Sequence, residues 1–115
     1  MSSRWTVLLA YQAKQDFAEI LRWTTRRFGP EQARTYAGTL SQAIEALSAG
    51  PEVLGSRARG DILPGIRTLH VARQGYTGRH FVVFRTGTGL TIEILRLLHD
   101  SMDLAKHLPF GDLRQ

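Results

Sequence analysis

The sequence predicts an α+β fold of order β-α-α-β-β-β, with a helical hairpin packed on one face of a small, mainly antiparallel sheet. Three observations carry this. Two successive segments repeat apolar residues at helical spacing and are joined only by Gly29-Pro30. Three later apolar runs are separated by glycine-rich loops, and one brief apolar run precedes the first helix. At 115 residues, a single domain over 1–115 is expected. A chain of that size buries roughly two-thirds of its unfolded surface, enough for one modest core.

The first element is the run Trp5 to Tyr11, rich in strand formers and ended by polar residues. Its brevity favours a strand. A helix is expected over Ala13 to Phe28, where Phe17, Ile20, Leu21, Thr24 and Phe28 recur on one face. Asp16 and Glu19 near its start, and Arg22, Arg26 and Arg27 near its end, match the helix dipole. Gly29 stops it, and Pro30 opens a second helix at a position where a missing N–H costs nothing. The stripe of that helix is Ala33, Tyr36, Ala37, Leu40, Ile44 and Leu47, and Gly50-Pro51 ends it. So short a link implies an antiparallel hairpin.

Pro51 to Gly65 holds three glycines, two prolines and two arginines, and reads as a loop. Strands are expected over Ile66 to Ala72, Arg79 to Arg85 and Thr91 to Leu98, as an antiparallel meander. Phe81-Val82-Val83-Phe84 is apolar on both faces, as a central strand is. Gln74 to Gly78 and Gly87-Thr88-Gly89 read as hairpin loops. The first strand adds at an edge or beside a later strand. Asp103 to Leu108 suits one helical turn.

Composition excludes several chemistries. With no cysteine, there is no disulfide, thiolate zinc site or cysteine nucleophile. No apolar run is long enough to span a membrane, so a cytoplasmic protein with no membrane partner is expected. The net charge is +5 and the pI about 10.4. The excess is local. Residues 57–99 carry seven arginines against Asp61 and Glu93, whereas residues 1–56 carry six basic and five acidic side chains. A one-sided basic surface favours an acidic peptide, an acidic protein face or nucleic acid. The plain alternative is that scattered arginines solubilise a small sheet.

Catalytic motifs are missing. No glycine cluster opens a helix to cradle phosphate, no serine sits in an elbow sequence, and the carboxylates form no pair in an apolar setting. His70, His80, His99 and His107 lack zinc spacing on a helix. No catalytic residue, metal or cofactor is therefore assigned. Arg85, Arg96 and His99 lie on or just after neighbouring strands. They suit bidentate binding of a carboxylate or phosphate, internal pairing with Glu93, Asp100 or Asp103, or assistance to RNA cleavage. Trp23 and Tyr36 lie on or beside the apolar stripes. Core packing is their default, with Trp23 at the edge of its stripe and open to a partner.

Several local sequences carry a family resemblance. They are Asp16-Phe17-Ala18-Glu19-Ile20, Arg27-Phe28-Gly29-Pro30-Glu31-Gln32-Ala33, Asp61-Ile62-Leu63-Pro64-Gly65-Ile66-Arg67 and Phe81-Val82-Val83-Phe84-Arg85. The most specific is Ile94 to Asp103, reading Ile-Leu-Arg-Leu-Leu-His-Asp-Ser-Met-Asp, followed by His107-Leu108. In this order the chain resembles ParE-type toxins of the RelE/ParE toxin–antitoxin superfamily over nearly its whole length. The resemblance implies a βααβββ fold and a cognate ParD-like antitoxin whose C-terminal segment wraps and silences the toxin in a hetero-oligomer. It further implies action on DNA gyrase, stalling it on cleaved DNA and blocking replication. Relatives in the RelE branch instead cleave mRNA on the ribosome, with basic sheet residues and often a tyrosine or histidine near the C-terminus. The tail Leu108 to Gln115 has neither, and the chain has only two lysines, which favours the ParE branch. One departure is the loop Arg73 to Gly78, longer than the usual tight hairpin.

The leading expectation is a non-enzymatic gyrase inhibitor without direct sequence-specific binding to nucleic acid. The alternatives are a ribosome-dependent endoribonuclease and a non-toxic module that only binds an antitoxin. Partner-binding residues are expected to be Trp23, Arg27, Arg57, Arg59, Arg67, Arg85, Arg96 and His99, with the loop and sheet arginines and the aromatic edge of the first helix expected to meet the antitoxin. Antitoxins of this kind resemble acidic amphipathic segments that order on binding.

Overall fold

The computed structural model describes residues 4–107; the expected tail features at Leu108 and beyond lie outside them. Strand β1 (Thr6–Leu9) leads into helix α1 (Tyr11–Phe28), and α2 (Pro30–Ala46) follows, closed by a 3₁₀ turn over Leu47–Ala49. Then come β2 (Ser56–Ala58), β3 (Arg67–His70), β4 (His80–Thr86), β5 (Thr91–His99) and the short α3 (Leu104–His107). The sheet order is β1-β5-β4-β3-β2. β1 runs parallel to β5, with Thr6 opposite Thr91 and Leu9 opposite Ile94, and the other pairings are antiparallel.

The expected helices and late strands are present, with β4 in the middle of the sheet. Strand β2 was not expected. Ser56-Arg57-Ala58 has no apolar alternation to announce it, and it exists because β3 offers a free edge, with Ser56 opposite Leu69. The dipole reading of Asp16 also changes. Helix α1 begins at Tyr11, so no acidic residue falls in its first turn, although Arg26 and Arg27 do occupy the last. Gly29, at φ 96°, links the helices, and Pro30 sits in the first turn of α2.

Two apolar layers hold the sheet. On the helical side, Ala13, Leu40, Ala43 and Leu47 pack with Leu69, Val82, Phe84, Ile92, Ile94 and Leu97, all buried. Phe17, Ile20 and Leu21 of α1 and Tyr36 of α2 border this layer. The opposite face is not bare. Ile66, Val83, Leu95, Leu98 and Leu104 form a second cluster, flanked by Ile62, Leu63 and Phe81. Each face buries what a two-layer sheet needs, at about 25 cal/mol per Å² of apolar area. Phe28 departs from its expected place in the stripe and is 59% exposed.

Candidate functional site

Three groups of polar side chains lie on or beside the sheet. The first is the set of arginines. Arg85 of β4 sits directly across from Glu93 of β5, and their side chains meet at 3.0 Å. Arg59 holds Asp61 through two bonds of 3.0 Å, which keeps the Asp61 carboxyl below its ordinary range. Arg67 donates to the Pro51 carbonyl and to Ser56 Oγ, both at 3.0 Å. Arg57 is exposed on edge strand β2, opposite Thr68, and forms no ion pair among the described residues.

Arg96 lies where β5 slips register against β4, next to the bulge at Val83/Phe84. Strand β1 has already ended at Leu9, so this edge of β5 is open. Asp16 of α1 fills the gap. Its carboxylate accepts from Arg96 at 2.7 and 3.0 Å and from the Leu97 N–H at 2.9 Å. Arg96 also donates to the His107 carbonyl at the end of α3. Internal pairing with Glu93, Asp100 or Asp103 is one of the expectations for Arg85, Arg96 and His99, and Arg85 takes Glu93. For Arg96 the acid comes from the first helix instead.

The second group stands at the far end of β4 and β5. His80 and His99 are register partners, with ring centroids 5.3 Å apart. His80 Nδ1 lies 2.7 Å from Tyr36 Oη, which also accepts the Arg79 N–H at 3.1 Å. With that N–H donating to Oη, the phenol proton is directed at the imidazole, which must then accept it in neutral form. Burial, then the neighbouring His99, lowers the His80 pKa to about 4. Burial likewise raises that of Tyr36. Beside them, Asp100 binds Arg79 at 2.9 Å and His70 at 2.9 Å. Arg79 first, then His70, holds its carboxyl well below the usual range. His99 Nδ1 contacts Ser101 Oγ at 2.8 Å and lies 3.6 Å from Asp100. Sequence reasoning singled out His99 but placed Tyr36 in the core and gave Asp100 only as a counter-charge. The opposition of His80 and His99 depends on the bulge at Val83/Phe84, since the register next to the Gly87–Gly89 loop would set His80 opposite Leu98; no local sequence signal announces it.

The third group is the end of α1. Trp23 is 53% exposed and packs edge-on against Phe28, with centroids 5.8 Å apart. Arg26 and Arg27 are exposed beside them. Thus Trp23 and Arg27 stand on the helical hairpin, apart from the strand arginines with which they were grouped. An open groove of about 430 Å³ runs between Arg59, Asp61 and Ile62 on one side and Asp100, Met102 and Leu104 on the other. Among the described residues no cluster of three or more His, Asp or Glu could hold a metal ion, and no helix is long and apolar enough to cross a membrane.

A family model described as the ParE toxin of the type II toxin–antitoxin system parDE matches residues 7–104. This chain belongs to the ParE toxin family. Toxin ParE1 of Mycobacterium tuberculosis is 38% identical over 109 residues, covering 94% of this chain and all of the relative. Toxin ParE1 of Caulobacter vibrioides is 33% identical over 100 residues, covering 87% and 94%. Among solved structures, the chromosomal ParDE toxin–antitoxin system from P. aeruginosa superposes with a TM-score of 0.69 at 23% identity, over 85% of this chain and 98% of that one. That likeness establishes the shared ParE-type fold of two helices against a mixed five-stranded sheet. The chain is therefore a ParE toxin of a type II toxin–antitoxin system.

Proposed function

We propose that this ParE toxin acts by gripping a protein: it inhibits DNA gyrase in the cytoplasm, blocks replication, and is silenced by a cognate ParD-like antitoxin. The observation that carries this reading is the state of the polar groups on the sheet. Arg59, Arg79, Arg85 and Arg96 are each held by an internal carboxylate, and His80 Nδ1 is occupied by Tyr36. A general base or a transition-state clamp needs such groups aimed at substrate. What remains accessible is cationic and aromatic surface, which suits docking. A family whose type is named with an antitoxin, and a solved relative titled as a ParDE system, support the antitoxin partner.

Arg57, Arg67, Arg85 and His99, with Arg59 and Arg96 at the margins, are the sheet residues assigned to the antitoxin. An acidic antitoxin segment would compete with Glu93 for Arg85 and add to the partners of Arg57. The test is a supercoiling assay with purified gyrase, together with DNA synthesis in cells expressing the toxin alone. Inhibition at micromolar toxin with replication arrested first is expected. Undisturbed supercoiling and continued DNA synthesis would remove the reading.

One observation favours a second reading. His80, His99 and Tyr36 meet at the end of the sheet, and such a trio is compatible with RNA cleavage. Codon-phased cuts in translated mRNA after induction, mapped by primer extension, would establish it in place of the first.

A further inference from the structure

We propose that the tip of the helical hairpin is a docking knob for the toxin's protein target, and that it seats in an apolar socket with an acidic rim. The inference rests on the reading above that the target is a protein. It assigns Trp23 and Arg27 to that target and leaves the sheet to the antitoxin.

Residues 22–28 read Arg-Trp-Thr-Thr-Arg-Arg-Phe, with three arginines, two aromatics and no acid. Only Thr24 of the seven is buried. Trp23 and Phe28 belong to neither apolar cluster, and their rings meet edge to face at 71°. The chain therefore leaves a compact aromatic knob in water, although such area stabilises a fold when buried. Trp and Arg are the side chains most often found at the energetic centre of protein interfaces. The knob is also preorganised. The two helices pack along their length and the link at Gly29 is a single residue, so little freedom is lost on docking.

Charge selects the occupant. Arg22 is shared with Glu19 at 3.4 Å, while Arg26 and Arg27 form no ion pair among the described residues. A second copy of this chain is a poor fit, because a two-fold contact would set arginines against arginines. A nucleic acid strand is a poor fit too. Glu19 and Glu31 bound the cationic stretch on either side, and rings packed edge to face are not successive stacking platforms. A short positive collar around one apolar knob matches a protein socket rimmed by Asp and Glu.

The test uses the full chain with two variants, Trp23→Ser/Phe28→Ser and Arg26→Glu/Arg27→Glu. Both change exposed side chains, and thermal melts check that folding is kept. The aromatic variant is expected to bind gyrase about 30-fold more weakly, the loss of an anchor of roughly 2 kcal/mol. It should lose growth arrest while its affinity for the antitoxin stays within about twofold, inside the noise of near-neutral positions. The charge variant should lose target binding more steeply at low salt than at high salt. Either variant arresting growth like the wild type overturns the proposal. So does a matching loss of antitoxin affinity, which would place the tip in that interface, or wild-type binding to bare DNA that the variants lose. If the wild type arrests growth without binding gyrase and the variants do not arrest growth, the gyrase reading fails and the knob stands. A wild type that neither arrests growth nor binds gyrase ends both.

Discussion

Asp16 of α1 grips Arg96 of β5 across eighty positions of sequence, at 2.7 and 3.0 Å, and the same carboxylate accepts the Leu97 N–H. It replaces the strand partner that β5 lacks once β1 has ended. The two side chains are only 14% and 19% exposed, so neither is easily rescued by water. Asp16→Ala leaves a largely buried guanidinium with no counter-charge, only the His107 carbonyl, and a backbone donor without its acceptor, and is expected to cost about 2–4 kcal/mol. Asp16→Asn keeps an acceptor for Leu97 and should cost less. Urea unfolding with an unchanged m-value measures both. A loss under about 0.5 kcal/mol for Asp16→Ala would show that the clamp contributes no more than a surface pair.

The Arg85–Glu93 pair sits on the surface across two strands. Its contribution to stability is small, on the order of 0–1 kcal/mol. Its consequence is for binding. Arg85→Glu places two carboxylates face to face and presents negative charge to an acidic antitoxin. Antitoxin affinity is expected to fall more at low ionic strength than at high, because exposed charges are screened within about 10 Å at 0.1 M salt. Calorimetric titrations at two salt concentrations decide it, with Arg85→Gln as the neutral control. Equal affinity at both would put Arg85 outside the interface.

His80 links stability to pH. Burial and the nearby His99 hold its pKa at about 4, against 6.5 for an ordinary histidine. Asp100 and Asp16 oppose this, and His70 reinforces it. Between pH 6.5 and about 4 the unfolded chain binds a proton that the folded chain refuses. The contribution is therefore complete above that window and is lost as pH falls through it. Allowing for partial exposure, about 1–2 kcal/mol is expected. The depressed Asp100 carboxyl acts lower: its stabilisation is present above about 3.9 and disappears as pH falls further. His80→Asn should flatten the upper part of the profile and leave the acid limb. If wild type and variant lose stability in parallel from pH 7 to 4.5, His80 is not responsible.

The helices and β3–β5 were legible because their patterns are strong. Phe17, Ile20 and Leu21 keep a helical period, and Phe81 to Phe84 is apolar on both faces. What escaped depends on tertiary context. Ser56 to Ala58 becomes a strand only because β3 is there to pair with it. Asp16 looked like a dipole residue since local sequence shows nothing of the open edge at Leu97. Phe28 obeyed the stripe and still ended outside the core, because the last turn of α1 has only Thr24 nearby as a buried neighbour on its own helix. Of the expected contact residues, the sequence marked the arginines but not which carboxylates would hold them.

Gly78 is a case where composition suggested one cause and packing supplies another. Beside Gly75 and Gly89, which take positive φ, it read as a turn glycine. Its φ is not in that region. A Cβ there would instead stand 2.6 Å from Tyr36 Oη, 2.7 Å from Tyr36 Cε1 and 2.7 Å from Val71 Cγ2. The missing side chain lets the loop after β3 lie against α2, where Tyr36 meets the Arg79 N–H and His80. Gly78→Ala must push the ring away and is expected to cost about 1–3 kcal/mol. Tyr36→Phe removes a hydroxyl that serves two partners, and about 1–2 kcal/mol should follow. Tyr36→Ala removes two of the three close contacts and leaves only Val71 Cγ2, so adding Gly78→Ala to it should cost less than in the wild type. Additive losses in that double-mutant cycle would mean that the two positions do not press on each other.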